Sequence, residues 1–101
     1  MKLWIDDERA PPEGWMQAKT VAQAVGWLKS GIIVTHMSFD HDLGEGGDGH
    51  EIACLVEELV ASGRMELPRM SCHSANPVGS MRIRQAIEAM TRRHGGLQES
   101  G

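Results

Sequence analysis

Four acids stand close together in FDHDLGEGGDG, residues 39–49: Asp40, Asp42, Glu45 and Asp48. A second group, Asp6 and Asp7, closes the short apolar run Leu3 to Ile5. Carboxylates supply hard oxygens, and several around one point suit a divalent cation such as Mg²⁺, which keeps waters beside carboxylates and a phosphate. Without a cation, clustered carboxylates repel and their titrations couple. One aspartate in such a site has a second use. It can attack phosphorus to give an aspartyl phosphate while a metal neutralises oxygen charge.

The acidic loop admits three other readings. Gly44, Gly46 and Gly49 fit G-x-G-x-x-G between a strand and a helix, the context of a dinucleotide fingerprint. Glu45 and Asp48 inside that motif, and Asp40 and Asp42 before it, would oppose a pyrophosphate. A calcium loop would place Asp40, Asp42, Asp48 and Glu51 at positions 1, 3, 9 and 12. It fails where Glu45 takes the position that needs glycine. A mobile, solvated turn accounts well for Glu45 and Asp48, since Asp and Gly are common turn formers. It leaves unexplained why Asp6 and Asp7 end another apolar run. A site shared by Asp6, Asp7 and Asp40 accounts for both groups.

Such a site needs elements that bring residues 6 and 40 together. Leu3 to Ile5 reads as a buried strand, and Ala10 to Gly14, with two prolines, as a turn. Trp15 to Lys19 reads as a short second strand. Thr20 caps a helix, with Gln23 completing a capping box and Gly31 as its stop. Val21, Ala24, Val25 and Leu28 share one face of it. Ile32 to Phe39 holds the next strand, centred on Met37 to Phe39 and ending at Asp40. Ile52, Leu55, Val56 and Leu59 mark a second amphipathic helix ending near Gly63. Arg69 to His73 is a strand, and Ser74 to Gly79 a loop. Ser80 is placed as the cap of a last helix with Ile83, Ala86, Ile87 and Met90 inward. Arg82, Arg84, Arg92 and Arg93 are placed toward solvent. The tail is expected to fray from about residue 94, leaving residues 1–101 as a single domain.

Strands separated by helices imply an α/β fold with a mostly parallel sheet and right-handed crossovers. Ligands of such sheets gather outside the carboxyl ends of the strands. Asp6, Asp7, Asp40, Asp42, His73 and Ser74 all follow strands, so a parallel sheet would gather them at one edge.

The remaining features narrow the class. A formal net charge of -4 disfavours bulk nucleic-acid binding while leaving room for a local site. Cys54 and Cys72 form no metal-ligand spacing and read as small buried residues in a reducing compartment, which places the protein in the cytoplasm. No apolar run is long enough to span a membrane. Trp4, Trp15 and Trp27 read as core or rim packing.

IDDE at 5–8, FDHDLG at 39–44 and CHSANPVG at 72–79 together resemble the cyclic-phosphate processing receiver domain family, a divergent branch of response-regulator receivers. The resemblance runs over nearly the whole chain. It implies a flavodoxin-like, doubly wound open sheet, here with four strands and three helices and without the final receiver strand. It also implies a divalent-metal site for Mg²⁺, with Mn²⁺ as a substitute. Asp6 and Asp7 resemble the acidic pair after the first strand, and Asp40 the phosphoacceptor after the third. The backbone carbonyl of Asp42 or of a neighbour resembles a further metal ligand, and Ser74 the hydroxyl residue that contacts an acyl phosphate. The lysine expected after the final strand has no match, and no DNA-binding output segment is evident, so sequence-specific DNA binding is not expected. The first receiver helix is replaced by Arg9 to Gly14.

The resemblance implies a phosphate-containing ligand, a cyclic nucleotide or RNA end. His41 and His73 could then transfer protons beside Asp40, with Ser74 and Arg9 on the phosphate. The alternative is a non-enzymatic receiver-like interaction module. The missing final strand leaves a sheet edge for a second copy or a partner protein.

Overall fold

The computed structural model describes residues 1–95. Four short parallel strands form one sheet: β1 (Lys2–Ile5), β2 (Trp15–Ala18), β3 (His36–Phe39) and β4 (Arg69–Cys72), in the order β2-β1-β3-β4. Three helices accompany them: α1 (Val21–Lys29), α2 (Gly49–Ala61) and α3 (Pro77–Met90). The fold is thus a four-stranded parallel sheet with three helices, a receiver-like arrangement without the final strand among the described residues.

Local sequence explains the helix boundaries. Thr20 caps α1 by accepting the Gln23 N–H, while the Gln23 amide oxygen accepts the Lys19 N–H, one residue before the cap. Ser30 is the C-cap, and Gly31 follows with φ 86°. Asp48 caps α2 by accepting the Glu51 N–H. The last helix begins earlier than the sequence reading placed it. Asn76, not Ser80, is the cap: its side chain accepts the Val78 and Gly79 N–H groups, with Pro77 in the first turn. Proline is favoured there because its missing N–H would have been an orphan anyway. Ser80 is instead buried near Cys72 and Arg84. Arg93 stays exposed, as expected, while its guanidinium pairs with Glu57.

The core lies on one side of the sheet. Leu3, Ile5, Ala18, Met37 and Phe39 pack with Ala24 and Leu28 of α1, Ile52, Val56 and Leu59 of α2, and Ile83 and Met90 of α3 in one cluster. The topology requires this. The β2-α1-β3 and β3-α2-β4 connections advance across the sheet in the same direction, so two right-handed crossovers place their helices on the same face. Only the β1-to-β2 step runs the other way, and residues 6–14 make that step without a helix.

The sheet is therefore not wrapped on both faces by the described helices, as the doubly wound expectation implied. Strand register shows the consequence. Trp15, Lys2, His36 and Arg69 form one row on the open face, and Gln17, Trp4, Ser38 and Ser71 the next. Parallel strands buried on both faces read as continuous apolar runs. Here HMSF and RMSC alternate polar with apolar, and KLWI and WMQA set Lys2, Trp4, Trp15 and Gln17 on the open face.

Cys54 also departs from expectation, being exposed on α2 near His50. No helix among the described residues is long and apolar enough to cross a membrane. The segment expected to fray lies, beyond Gly95, outside the described residues.

Gly26 lies inside α1 with nothing within 4 Å of the position a Cβ would take. Gly26→Ala should therefore stabilise the protein by about 1 kcal/mol through helix propensity and unfolded-state entropy. Urea unfolding measures this; a lowered midpoint would contradict the open surroundings of Gly26.

Candidate metal and phosphate site

The ladder continues one bond beyond the strands. The Asp6, Asp40 and His73 N–H groups donate to Ala18 O, Ile5 O and Phe39 O at 3.1, 2.8 and 2.9 Å. That last rung fixes the acids at the carboxyl edge of the sheet. Asp6, Asp7 and Asp40 each offer an oxygen there, all within 4.8 Å of one another. Residues separated by a third of the chain thus meet because β1 and β3 are neighbours.

The three acids differ in surroundings. Asp6 is fully buried. Its Oδ1 accepts the Glu8 and Arg9 N–H groups at 2.8 and 2.9 Å, and its Oδ2 lies 2.9 Å from His73 Nε2. Burial alone pushes its carboxyl pKa up; the Arg9 and Glu8 N–H groups and His73 together outweigh it and hold the pKa below the ordinary value. Asp6 is thereby kept as an anion although it is out of water. Asp7 and Asp40 are half-buried and open onto a cleft of about 250 Å³. Asp40 Oδ1 accepts the His41 N–H at 2.8 Å.

The cleft is also lined by Glu8, Arg9, Asp42, Gly44, Ser74 and Asn76. Residues 1–89 match the cyclic-phosphate processing receiver domain. The chain belongs to that family. No curated protein and no solved structure matched the chain. In this receiver domain the acidic cluster stands at the carboxyl edge of the parallel sheet, an arrangement consistent with receiver-like binding of metal and phosphate.

The other residues singled out in the sequence take distinct places. The Asp42 carboxylate is outside the close acid cluster. It accepts the Gly44 N–H at 2.8 Å and still lines the receiver domain's cleft. Ser74 reaches the cleft while accepting the Asn76 N–H at 3.1 Å. Arg9 lines the cleft and donates from Nη1 to His73 O at 2.9 Å rather than pairing with Glu8.

Neither imidazole lines the cleft. His41 turns to the helical side, where a Cβ at Gly79 would lie 2.1 Å from its ring. His73 lies over the open face, stacked on Trp4 with centroids 3.9 Å apart and planes 5° apart. Ser71 Oγ donates to Ser38 Oγ at 3.2 Å, and Ser38 Oγ lies 2.7 Å from His73 Nδ1. With the Ser38 hydroxyl donating a hydrogen bond to Nδ1, the imidazole carries its hydrogen on Nε2 and donates it in a hydrogen bond to Asp6. That chain of donors orients the imidazole and, through it, the carboxylate.

The glycine-rich remainder of the loop is packed rather than loose. Leu43 is buried, and Asp42 and Asp48 form an isolated bridge that closes the loop. A Cβ at Gly46 would lie 2.9 Å from Thr20, and one at Gly47 2.6 Å from Val21. Sequence reading missed Asn76 and Ser38. The first had a signal in the N-P dipeptide, a helix start as well as a turn. The second had one in strand alternation.

Proposed function

We propose that this receiver domain recognises phosphate through a divalent cation held by Asp6, Asp7 and Asp40, and that its ligands are cyclic phosphate ends of nucleotides or RNA. The observation that carries this is the meeting of three carboxylates at the edge of a polar cleft. The donor set fits Mg²⁺ or Mn²⁺: all three groups are hard oxygens, and Asp6 stays ionised when buried. Bound there, the cation would neutralise charge on phosphate oxygens.

The chain's own residues would then position the ligand. Arg9 is itself the cationic side chain lining the cleft, and its N–H groups allow forked contact with phosphate oxygens. The Ser74 hydroxyl can donate a hydrogen bond to a phosphate oxygen while its own oxygen accepts from the Asn76 N–H. Asp42 and Glu8 add negative charge at the rim, which favours a ligand bound with its cation over a bare anion. His73 acts as a positioning residue for Asp6. We place the protein in the cytoplasm, where two free thiols are at home.

Manganese titration of the wild-type protein, followed by electron paramagnetic resonance, should show saturable binding. Asp7→Ala and Asp40→Ala should each weaken it by more than the roughly 10–100-fold typical of losing an outer partner of a metal ligand. A wild-type protein that does not saturate, or three variants at Asp6, Asp7 and Asp40 that all bind normally, would overturn the assignment. Product formation from 2′,3′-cyclic nucleotides tests turnover. Intact mass after incubation with a small phosphodonor then separates attack by water from attack by Asp40. The non-enzymatic alternative would instead show metal-dependent capture of a partner at the open β4 edge, without product.

A further inference from the structure

The open face of the sheet has an unusual composition for a surface that a helix or a second sheet would cover. Its eight positions in two rows hold no Val, Ile or Leu. They hold two tryptophans, a histidine, two fixed cations and small or amide side chains, with no carboxylate among them. On a chain of formal net charge -4, a cation-bearing face free of acids is a local reversal of sign.

The aromatic groups are already ordered. The Trp4 indole N–H donates to Arg9 O at 3.1 Å, and its ring meets Trp15 edge-on at 5.9 Å. Trp15 in turn meets His36 edge-on at 6.2 Å, with Lys2 Nζ 5.8 Å from its centroid. Lys2 and Arg69 are exposed, and both tryptophans are half-buried. Rings held in place, with Lys2 between Trp15 and His36 and Arg69 beyond them on β4, suit a ligand that combines flat apolar bases with anionic phosphates. A helix would ask for aliphatic side chains, which this face lacks.

We propose that this open face is a platform for single-stranded RNA, with bases stacking on Trp15 and the aromatic group behind it and phosphates drawn to Lys2 and Arg69. Four strands at a spacing of about 4.8 Å give a width of roughly 14 Å, room for about two or three bases. The platform is continuous with the acid edge: His73 stacks on Trp4 and contacts Asp6. A strand laid on it could present its terminal phosphate to the cleft. The choice of RNA rests on the function proposed above, because a 2′,3′-cyclic phosphate requires a 2′-hydroxyl.

The test is fluorescence anisotropy of a labelled oligouridylate of about ten nucleotides, ending in a 3′-hydroxyl and measured in EDTA at low salt. The metal site is thereby taken out of the measurement. Wild type should bind, and Trp15→Ala should weaken binding by about tenfold, as loss of one stacking base does. Lys2→Glu with Arg69→Glu should weaken it further and flatten the salt dependence by about 1.4, at ~0.7 per phosphate contact on single strands. Arg82→Glu with Arg92→Glu, on the helical side, should change little. Circular dichroism and thermal melting confirm that each variant is folded.

Binding in EDTA supports the platform whatever manganese does; manganese binding without RNA binding overturns the platform and spares the metal site. Variants at Trp15, Lys2 and Arg69 that all bind within twofold of wild type overturn it too. So does self-association in sedimentation that Trp15→Ala abolishes, which would make a second copy the occupant. Tighter binding of the matching deoxyoligonucleotide would overturn the assignment to RNA.

Discussion

Gly49→Ala should destabilise the protein by at least about 3 kcal/mol, the upper end of the range for overpacking. The added Cβ would lie 2.1 Å from the Asp40 carbonyl oxygen and 3.1 Å from Ile83 Cδ1. The first neighbour is backbone at the end of a central strand, so it cannot rotate away as a side-chain tip would. The Gly49 N–H also donates to His41 O at 2.8 Å, which ties the start of α2 to the acidic loop. Relief of the clash must move either the helix or Asp40. A domain of this size has roughly 5–15 kcal/mol of stability in total, so the loss is a large fraction of it. The urea midpoint should fall by about 2 M for an m-value near ~1.5 kcal/mol/M. Because Asp40 is one of the acids brought together, manganese affinity measured well below the new melting temperature should fall as well. A variant as stable as wild type would show that α2 does not press on Asp40.

The same contact explains which parts of the site were legible in the sequence. Asp6, Asp7 and Asp40 were visible because strand ends follow from abrupt apolar-to-acid boundaries, and parallel topology then gathers them. The glycines of the loop were harder. Asp and Gly read as a turn from local chemistry alone, but Gly46, Gly47 and Gly49 are set by Thr20, Val21 and Asp40, neighbours that only tertiary structure supplies. Asp48 looked like spare charge, although its spacing from Glu51 is that of a helix cap. His73 was legible as a strand-end residue but not in its direction. Its ring reaches Asp6 across Ser38, and which way a ring turns at the end of a strand depends on Trp4 beneath it. The open face could have been read from HMSF and RMSC, whose alternation signals strands covered on one side. The expectation of a wrapped sheet hid that pattern, because it came from the family's usual connections rather than from these strands.

His73→Leu should cost about 2–4 kcal/mol at neutral pH, since it leaves a buried carboxylate oxygen without its partner. Asp6 is fully buried, and the Leu side chain restores bulk against Trp4 but no donor for Oδ2. The Ser38 hydroxyl loses its imidazole partner at the same time. His73→Gln, which keeps an N–H donor, should recover part of the loss. The pH dependence has a definite sign. Asp6 has its pKa lowered in the folded protein, with burial opposed by the Arg9 and Glu8 N–H groups and by His73. A lowered carboxyl pKa contributes stability that is present above the unfolded value, near ~4, and lost as pH falls through the folded value beneath it. Removing His73 weakens that lowering. In metal-free protein the gap in unfolding free energy between wild type and His73→Leu should therefore be widest above about pH 5 and narrow as pH falls below ~4. A gap that stays constant from neutral to acidic pH would mean that His73 contributes packing against Trp4 and does not hold the Asp6 charge. With His73→Leu, manganese affinity should fall about 10–100-fold even where the protein remains folded, because the carboxylate it orients is a metal ligand in the function proposed here.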